Sequence, residues 1–237
     1  LKNNTPEPLG NPDAYYGYYS QPVSYPDSAY GIAAWWDYGY WIMRIGHRLP
    51  VSDPGGGARE QVAKLFTAQD ESTANGIMDQ LKSKYVIIDD KSITSKFNGV
   101  ITYAGLDATQ FAEYYYTVNA GRVVSGTYYY YPAYFQNLAV RLFQFGGKKV
   151  TPTSTMVISY QDETTQNGSH FKAIVNTNTF TAYDQATAYI AKQTTGNYAI
   201  VSNTSQSPVP LESLQHYKEV YPSGTQTSTV KIFEYTK

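Results

Sequence analysis

The sequence of 237 residues contains no cysteine, which excludes disulfide bridges and thiol chemistry. Charged residues are also scarce, at 16%, and they nearly balance, with 18 Lys and Arg against 19 Asp and Glu. A chain with this balance has no strong electrostatic field that would attract nucleic acid or an anionic membrane surface. We therefore expect no nucleic-acid partner.

Long apolar runs are missing as well. A transmembrane helix needs about 20 apolar residues, whereas the longest runs here have the length of a strand. The opening LKNNTPEPLGNP has no initiator Met, and it lacks the basic and apolar segments of a signal peptide. We therefore expect a chain that starts inside a longer protein, with residues 1–237 as one globular domain and residues 1–28 as an irregular leader.

Apolar periodicity predicts a mixed α/β fold class: a single compact domain with a helix-rich first half around a central strand, and a more β-rich last third. The helical pattern in YGYWIMRIGH predicts an inward stripe of Trp41, Ile42 and Ile45. Further helices are predicted in AREQVAKLFTA, ESTANGIMDQLKSKY, PAYFQNLAVRLFQF and DQATAYIAKQ. Strands are predicted in GIAAWW, YVIID, TMVISYQ, FKAIVNT, NYAIVSN and TVKIFEYTK, with YVIID at the centre of a sheet.

Common catalytic and metal-binding motifs are not found. The three histidines, His47, His170 and His216, are far apart and lack the spacing of zinc ligands. The sequence has no GxSxG nucleophile motif. The glycine-rich turn DPGGGARE lacks the GK[ST] ending of a phosphate-binding loop, so it is interpreted as an ordinary turn.

All three tryptophans lie in one stretch, AAWWDYGYW, and Asp37 directly follows two of them. An indole donates one hydrogen bond, whereas an ionised carboxylate only accepts. A hydroxyl group does both, so an indole and Asp37 that converge on one point would match the side chain of Ser or Thr, more strongly where an aromatic wall lowers the local dielectric. The alternative is a packed aromatic core in which Asp37 caps a helix.

A second polar pattern lies in YVIIDDKSITSKF. Asp89, Lys96 and Val100 fall on one face of a helix, but Asp90 fits the same face nearly as well, so the spacing leaves the choice of aspartate open. The Ser, Ile and Thr content predicts a short or kinked helix. The alternative is an aspartate that caps the helix while Lys96 stays solvated.

These two stretches carry a family resemblance. AAWWDYGYWI resembles the WWDYG signature of the catalytic subunit of asparagine-linked oligosaccharyltransferase, and YVIIDDKSITSKF is similar to the Asp–Lys motif of archaeal members. SPVPLESLQHYKEVY and TVKIFEYTK resemble closing segments of the same domain. The chain is thus identified as similar to the C-terminal soluble domain of an archaeal oligosaccharyltransferase, and the letters around the second motif favour Asp89.

The resemblance implies a function. This family transfers an oligosaccharide from a lipid carrier to the Asn of an Asn-X-Ser/Thr acceptor polypeptide, at the outer face of the membrane. It implies that Trp35, Trp36 and Asp37 bind the Ser or Thr hydroxyl, and that Asp89 and Lys96 help to shape that pocket. It also implies that the catalytic carboxylates and the Mg²⁺ or Mn²⁺ ion belong to the family's transmembrane region, which binds the lipid-linked donor. We therefore expect a cell-membrane protein with this domain on the extracellular face, and no transfer by this chain alone.

Two other functions compete with this one. The tyrosine clusters Tyr114–Tyr116 and Tyr128–Tyr131 could stack on sugar rings in a secreted carbohydrate-binding module. Such modules are usually all-β sandwiches, and the predicted helices disfavour that fold. A secreted glycoside hydrolase is the second alternative, and it predicts hydrolysis by this chain alone.

Overall fold

The computed structural model describes residues 1–16, 24–165, 167–222 and 228–237. In chain order, the helices are α1 Gly39–Arg44, α2 Arg59–Phe66, α3 Glu71–Gln80, α4 Asp90–Ile93, α5 Phe97–Ala104, α6 Pro132–Gln136, α7 Leu138–Phe145 and α8 Tyr183–Ala191. The strands are β1 Gly31–Ala33, β2 Leu49–Pro50, β3 Ser52–Asp53, β4 Gly56–Gly57, β5 Ser83–Asp89, β6 Ala112–Asn119, β7 Arg122–Tyr130, β8 Thr155–Thr164, β9 His170–Phe180, β10 Asn197–Val201, β11 Tyr217–Tyr221 and β12 Val230–Tyr235.

The chain divides into two compact units. The first comprises residues 1–105 and 214–237, and the second comprises residues 106–213. Each unit combines a five-stranded sheet with helices, so the predicted mixed α/β fold class is confirmed. The assignment of residues 1–237 to one domain is not tested by this division into compact units, and it stays a prediction.

The first unit is built on a mixed sheet with strand order β11-β12-β5-β1-β2. Strand β5, which contains YVIID, lies at the centre as predicted, and it pairs parallel with β1 and antiparallel with β12. Val86 and Ile88 are fully buried, as expected for a strand inside a sheet. Strand β5 therefore places the residue at its carboxyl end, Asp89, at a fixed and buried position.

The second unit has a sheet with strand order β10-β8-β9-β6-β7. One sheet face buries a cluster of Tyr115, Tyr129, Ile158 and Val201. Strands β6 and β7 form a hairpin whose two turn residues, Ala120 and Gly121, both have positive φ. This is the backbone conformation that matches the twist of a tight hairpin.

Most of the predicted elements are present. The four predicted strands of the last third correspond to β8, β9, β10 and β12, and the helix predicted between them is α8. In α2, Val62, Leu65 and Phe66 are fully buried, as their helical spacing predicts.

Two helix predictions need correction. In α1, Ile42 is buried but Trp41 is 65% exposed and Ile45 is exposed as well, so the predicted inward stripe is wrong. A helix turns by about 100° per residue, and the face that is buried carries Ile42 and Gly39 rather than Trp41. The helix predicted for PAYFQNLAVRLFQF is interrupted at Asn137, whose ψ of 137° is extended and separates α6 from α7.

Within the described ranges, no helix has the length and apolar content needed to span a bilayer.

Candidate functional site

The WWD stretch lies in the first unit, directly after β1. Trp36–Tyr38 form one turn of 3-10 helix, and α1 follows at Gly39. A 3-10 helix has three residues per turn. Successive side chains in this turn therefore point in different directions, and the neighbouring motif residues have different surroundings.

Trp35 belongs to the core of the unit. Its side chain is only 4% exposed. Its ring centroid lies 6.5 Å from that of Phe66 and 5.7 Å from that of Tyr103, which meets it edge-on. Such aromatic packing is the alternative that the sequence left open for the motif, and for Trp35 it describes the structure.

Trp36 is half-buried and lies under a cation. The guanidinium carbon of Arg59 is 5.3 Å from the centroid of the Trp36 ring, within the range of a cation–π interaction. The same guanidinium donates hydrogen bonds to the carbonyl of Asp53, at 3.1 and 3.0 Å, and to that of Pro54, at 2.5 Å. Arg59 therefore holds the indole against the glycine-rich turn.

Asp37 is paired with Lys96. The Lys96 ammonium donates to Asp37 Oδ2, and the two side chains are 26% and 31% exposed. Lys96 Nζ also lies 3.9 Å from Asp89 Oδ2 and 4.7 Å from the centroid of the Tyr38 ring. One lysine thus links the two motifs, which are 59 residues apart in sequence.

Tyr38 contacts both Asp89 and Lys96. Its hydroxyl donates to Asp89 Oδ2. Burial raises the pKa of Tyr38 above its ordinary value, and the hydrogen bond to Asp89 acts in the same direction. The phenol therefore stays protonated at neutral pH and remains a donor.

The structure selects Asp89 rather than Asp90 as the partner of Lys96. Asp89 is 2% exposed, and its Oδ1 accepts hydrogen bonds from the Ser92 hydroxyl and, at 2.9 Å, from the Ser92 backbone N–H. Asp89 is thereby the N-cap of α4. The capping alternative is correct for Asp89, but Lys96 is ion-paired rather than freely solvated.

The segment from Asp89 to Val100 is not one continuous helix. Helix α4 ends at Ile93, Thr94 leaves helical geometry with ψ of −100°, and α5 begins at Phe97. A short or kinked helix was predicted from the propensities of this segment. Val100 is fully buried inside α5, so its side chain is not presented to a peptide.

Two buried polar atoms of the motif lack a partner. Among the described residues, neither the Trp36 indole N–H nor Asp37 Oδ1 has a hydrogen-bond partner. The first is a donor and the second is an acceptor, and they belong to adjacent residues. Leaving buried polar groups unpaired costs about 1–3 kcal/mol each, so such groups in a folded protein call for an explanation.

Tyr38 also lines a groove of about 500 Å³. Its apolar lining includes Trp41, Ile45, Ile87 and Val230. For metal binding, the part of the chain that the structure describes offers no group of three or more His, Asp or Glu side chains with suitable geometry.

No role for Tyr38 or Arg59 is predicted from the sequence. Tyr38 could have been found, because it belongs to the quoted motif and its phenol is one of the hydroxyl donors that carboxylates pair with. Arg59 carries no such signal. It reaches Trp36 only because the turn between β2 and α2 folds back onto the motif.

Alanine substitution distinguishes the two neighbouring aspartates. We expect Asp89→Ala to lower the free energy of unfolding by about 3–5 kcal/mol, because it removes a helix cap, the acceptor of the Tyr38 hydroxyl and a buried charge opposite Lys96. Asp90→Ala, at a half-buried position next in sequence, should cost less than about 1 kcal/mol. Urea unfolding of both variants checks this, and equal losses would contradict the assignment.

Comparisons with known proteins agree with the motifs. Residues 1–94 match the AglB core-like family, described as the AglB core domain. The chain is 25% identical to the dolichyl-monophosphooligosaccharide–protein glycotransferase AglB of Haloferax volcanii, over 95% of this chain and 24% of that protein. It is 33% identical to dolichyl-phosphooligosaccharide-protein glycotransferase 3 of Archaeoglobus fulgidus, over 55% of this chain and 15% of that protein. The chain therefore spans less than a quarter of the length of these relatives.

The fold is similar to that of solved oligosaccharyltransferases from Archaeoglobus fulgidus. One is tethered with an acceptor peptide containing the NVT sequon; it has a TM-score of 0.55 and 21% identity over 99% of this chain and 31% of that chain. Another is in complex with an inhibitory peptide and a dolichol-phosphate; it has a TM-score of 0.54 and 21% identity over 100% of this chain and 31% of that chain. At this identity the likeness shows the fold alone.

These matches indicate the class of protein: the chain is similar to archaeal oligosaccharyltransferases, in agreement with its two motifs. More specifically, it is similar to AglB, and its residues 1–94 match the AglB core-like domain.

Proposed function

We propose that this chain recognises the acceptor polypeptide for an oligosaccharyltransferase that transfers a lipid-linked oligosaccharide to the Asn of Asn-X-Ser/Thr. Its relatives are named as glycotransferases that act on protein. A protein with a similar fold has been solved with a peptide that contains an NVT sequon. Both points support the proposal.

The proposal depends mainly on two buried polar atoms of adjacent residues that lack a hydrogen-bond partner among the described residues: the Trp36 indole N–H and Asp37 Oδ1. Lys96 donates to Asp37 Oδ2, which leaves Oδ1 as a free acceptor, and the indole N–H of the preceding residue, Trp36, also has no partner among the described residues. The hydroxyl of Ser or Thr, two residues after the acceptor Asn, satisfies both at once: it donates to Asp37 and accepts from Trp36. A side chain without a hydroxyl leaves both unpaired, and sites of this kind reject such analogues by about 10⁴-fold.

The other residues of the site orient this pair. Trp35 forms the packed floor, and Arg59 fixes the plane of the Trp36 ring. Lys96 compensates the charge of Asp37. Asp89 positions Lys96 through an ion pair and Tyr38 through a hydrogen bond. Because the unpaired atoms lie beneath the surface, the proposal requires that the side chains covering them shift when the hydroxyl enters.

The rest of the reaction belongs to the longer protein. By the family resemblance, its transmembrane region binds the lipid-linked donor and supplies the catalytic carboxylates and a Mg²⁺ or Mn²⁺ ion. This chain then lies on the extracellular face of the membrane and has no transferase activity by itself. Few hydrogen bonds connect it to the peptide, so its affinity for free peptide is weak.

Substituting Trp36 by Phe tests the donor half of the pair. The ring is kept and the N–H is lost, so we expect kcat/KM for Asn-X-Thr peptides to fall about tenfold in the longer enzyme, the effect of one hydrogen bond of ~1.4 kcal/mol. The matched control is Trp41→Phe, at a 65% exposed indole, which should change transfer less than twofold.

The two tryptophan variants must also be compared for binding of the lipid-linked donor. The proposal requires that donor binding is the same in both. A loss of transfer in Trp41→Phe as large as that in Trp36→Phe, or a parallel loss of donor binding, would overturn the assignment of Trp36 as the hydroxyl-binding donor.

A further inference from the structure

We propose that the second unit carries a binding site for neutral oligosaccharide on its β6–β7 hairpin, independent of the acceptor site. The site consists of a tyrosine face, defined as Tyr114, Tyr116 and Tyr128, and of a hairpin groove beside it. Neither element has a part in the function proposed above. The first observation is where these side chains point.

Alternation along the strands separates the two faces of the hairpin. Tyr115 and Tyr129 point into the core of the unit, so the tyrosine face points away from it. Tyr114 is 56% exposed, and Tyr116 and Tyr128 are half-buried. An antiparallel sheet with one solvated face normally presents polar and charged side chains there, so neighbouring exposed tyrosines are unusual.

The tyrosine rings form a continuous surface. Tyr114 and Tyr128 are directly opposite each other across the two strands, with ring centroids 4.9 Å apart. The rings of Tyr114 and Tyr116 are separated by 6.3 Å, and their planes differ by only 27°. Two neighbouring rings in nearly the same orientation offer adjacent flat faces to an extended ligand.

A glycine keeps this surface flat. Gly126 is the cross-strand partner of Tyr116. A Cβ atom at position 126 would lie 2.8 Å from Cε1 and 3.0 Å from Cδ1 of the Tyr116 ring, closer than real Cβ contacts. The Tyr116 ring therefore lies directly over the backbone of β7, and a larger residue would displace it.

The hairpin groove extends the surface at the Tyr116 end. Phe171 meets the Tyr116 ring edge-on, with centroids 5.7 Å apart, and it also lines a groove of about 510 Å³. The groove combines apolar side chains such as Val118 with the polar groups of Gln161 and Thr164. Its volume is in the usual range for ligand sites.

The chemistry of this surface selects a sugar over other ligands. A pyranose ring has an apolar C–H face, which stacks on an aromatic ring, and hydroxyl groups at its edge, which pair with phenol, amide and hydroxyl groups. Among the described residues that line the groove, Glu163 is the only charged one. Without a cationic side chain this lining does not attract phosphate, nucleic acid or anionic lipid, so the complementary ligand is uncharged.

Titration of this chain with cellohexaose, maltohexaose and mannohexaose, followed by NMR of backbone amides, tests the proposal. We expect saturable binding of at least one of the three below about 10 mM, with shifts at β6, β7 and Phe171. Tyr114→Ala should weaken it at least about tenfold, while Tyr114→Phe should retain most of it because the ring face is kept. Tyr25→Ala is the matched control, since Tyr25 is also 56% exposed and lies in the other unit.

Gly126→Ala provides a second variant that leaves every tyrosine in place, and it should weaken binding by displacing Tyr116. Circular dichroism establishes that each variant is folded. Absence of saturable binding to all three sugars, or equal weakening by Tyr25→Ala, would overturn the proposal. Concentration-dependent self-association that Tyr114→Ala abolishes, without sugar binding, would show that a second copy of the chain covers this face and would equally overturn it.

Discussion

Asp37→Ala is expected to lower transfer to Asn-X-Thr peptides by about 10⁴-fold in the longer enzyme, because it removes the acceptor of the hydroxyl pair. It also releases Lys96 from its ion pair with Asp37, so a partly buried network loses its charge balance. Binding of the lipid-linked donor should remain nearly unchanged, since the role proposed for Asp37 concerns the acceptor peptide alone. Measuring kcat/KM for peptide together with equilibrium donor binding separates these effects.

A second variant, Asp37→Asn, separates the charge of Asp37 from its shape. It preserves the shape of the side chain and one acceptor oxygen but removes the charge that Lys96 compensates, so we expect a smaller loss than with alanine. A comparable loss of donor binding in either variant would contradict a role in acceptor recognition.

Gly39→Ala is the second substitution with a large expected effect, and this one acts on stability. A Cβ atom at position 39 would collide with Asp53 Cβ and lie 2.6 Å from both Asp53 Cα and the Ser52 carbonyl oxygen. Because two of these contacts are with backbone, the β3–β4 turn must shift. Overpacking of this kind costs about 1–3 kcal/mol, and sometimes more.

The displaced turn also carries the acceptors of Arg59, so Gly39→Ala should disturb Trp36 and reduce transfer as well. The matched control is Gly76→Ala in α3, where an added Cβ would meet nothing within 4 Å. That change should stabilise the fold by about 0.5–1 kcal/mol through helix propensity. Thermal unfolding of both variants measures the contrast, and shifts of the same sign would contradict the steric account.

The features that could be predicted from the sequence were those with a local pattern. Strand β5 was predicted from its continuous β-branched run, and the buried face of α2 was predicted from helical spacing. The WWDYG signature indicated the resemblance because it is long and rich in rare residues such as tryptophan. Burial of Trp35 and exposure of Trp41 could not be predicted, since both indoles are equally apolar and only the packing of α1 distinguishes them.

The choice between Asp89 and Asp90 shows a second limit of prediction from the sequence. Helical spacing accepts both residues, because either lies near the same face as Lys96. The structure decides through the buried end of β5 and the break before α5, which bring Asp89 to 3.9 Å from Lys96. The contact of Arg59 with Trp36 depends likewise on how a turn folds back, which no local pattern encodes.

Recognition of the hydroxyl by Asp37 is tested most directly by changing the Thr of the peptide and Asp37 of the protein in the same experiment. Transfer rates are measured for two peptides, Asn-X-Thr and its analogue with Val in place of Thr, in the unaltered enzyme and in Asp37→Ala. We predict a preference for Thr of about 10⁴-fold in the unaltered enzyme that falls to about tenfold in the variant, where the Trp36 N–H alone still pairs with the hydroxyl. An undiminished preference for Thr in Asp37→Ala would show that the hydroxyl is recognised elsewhere.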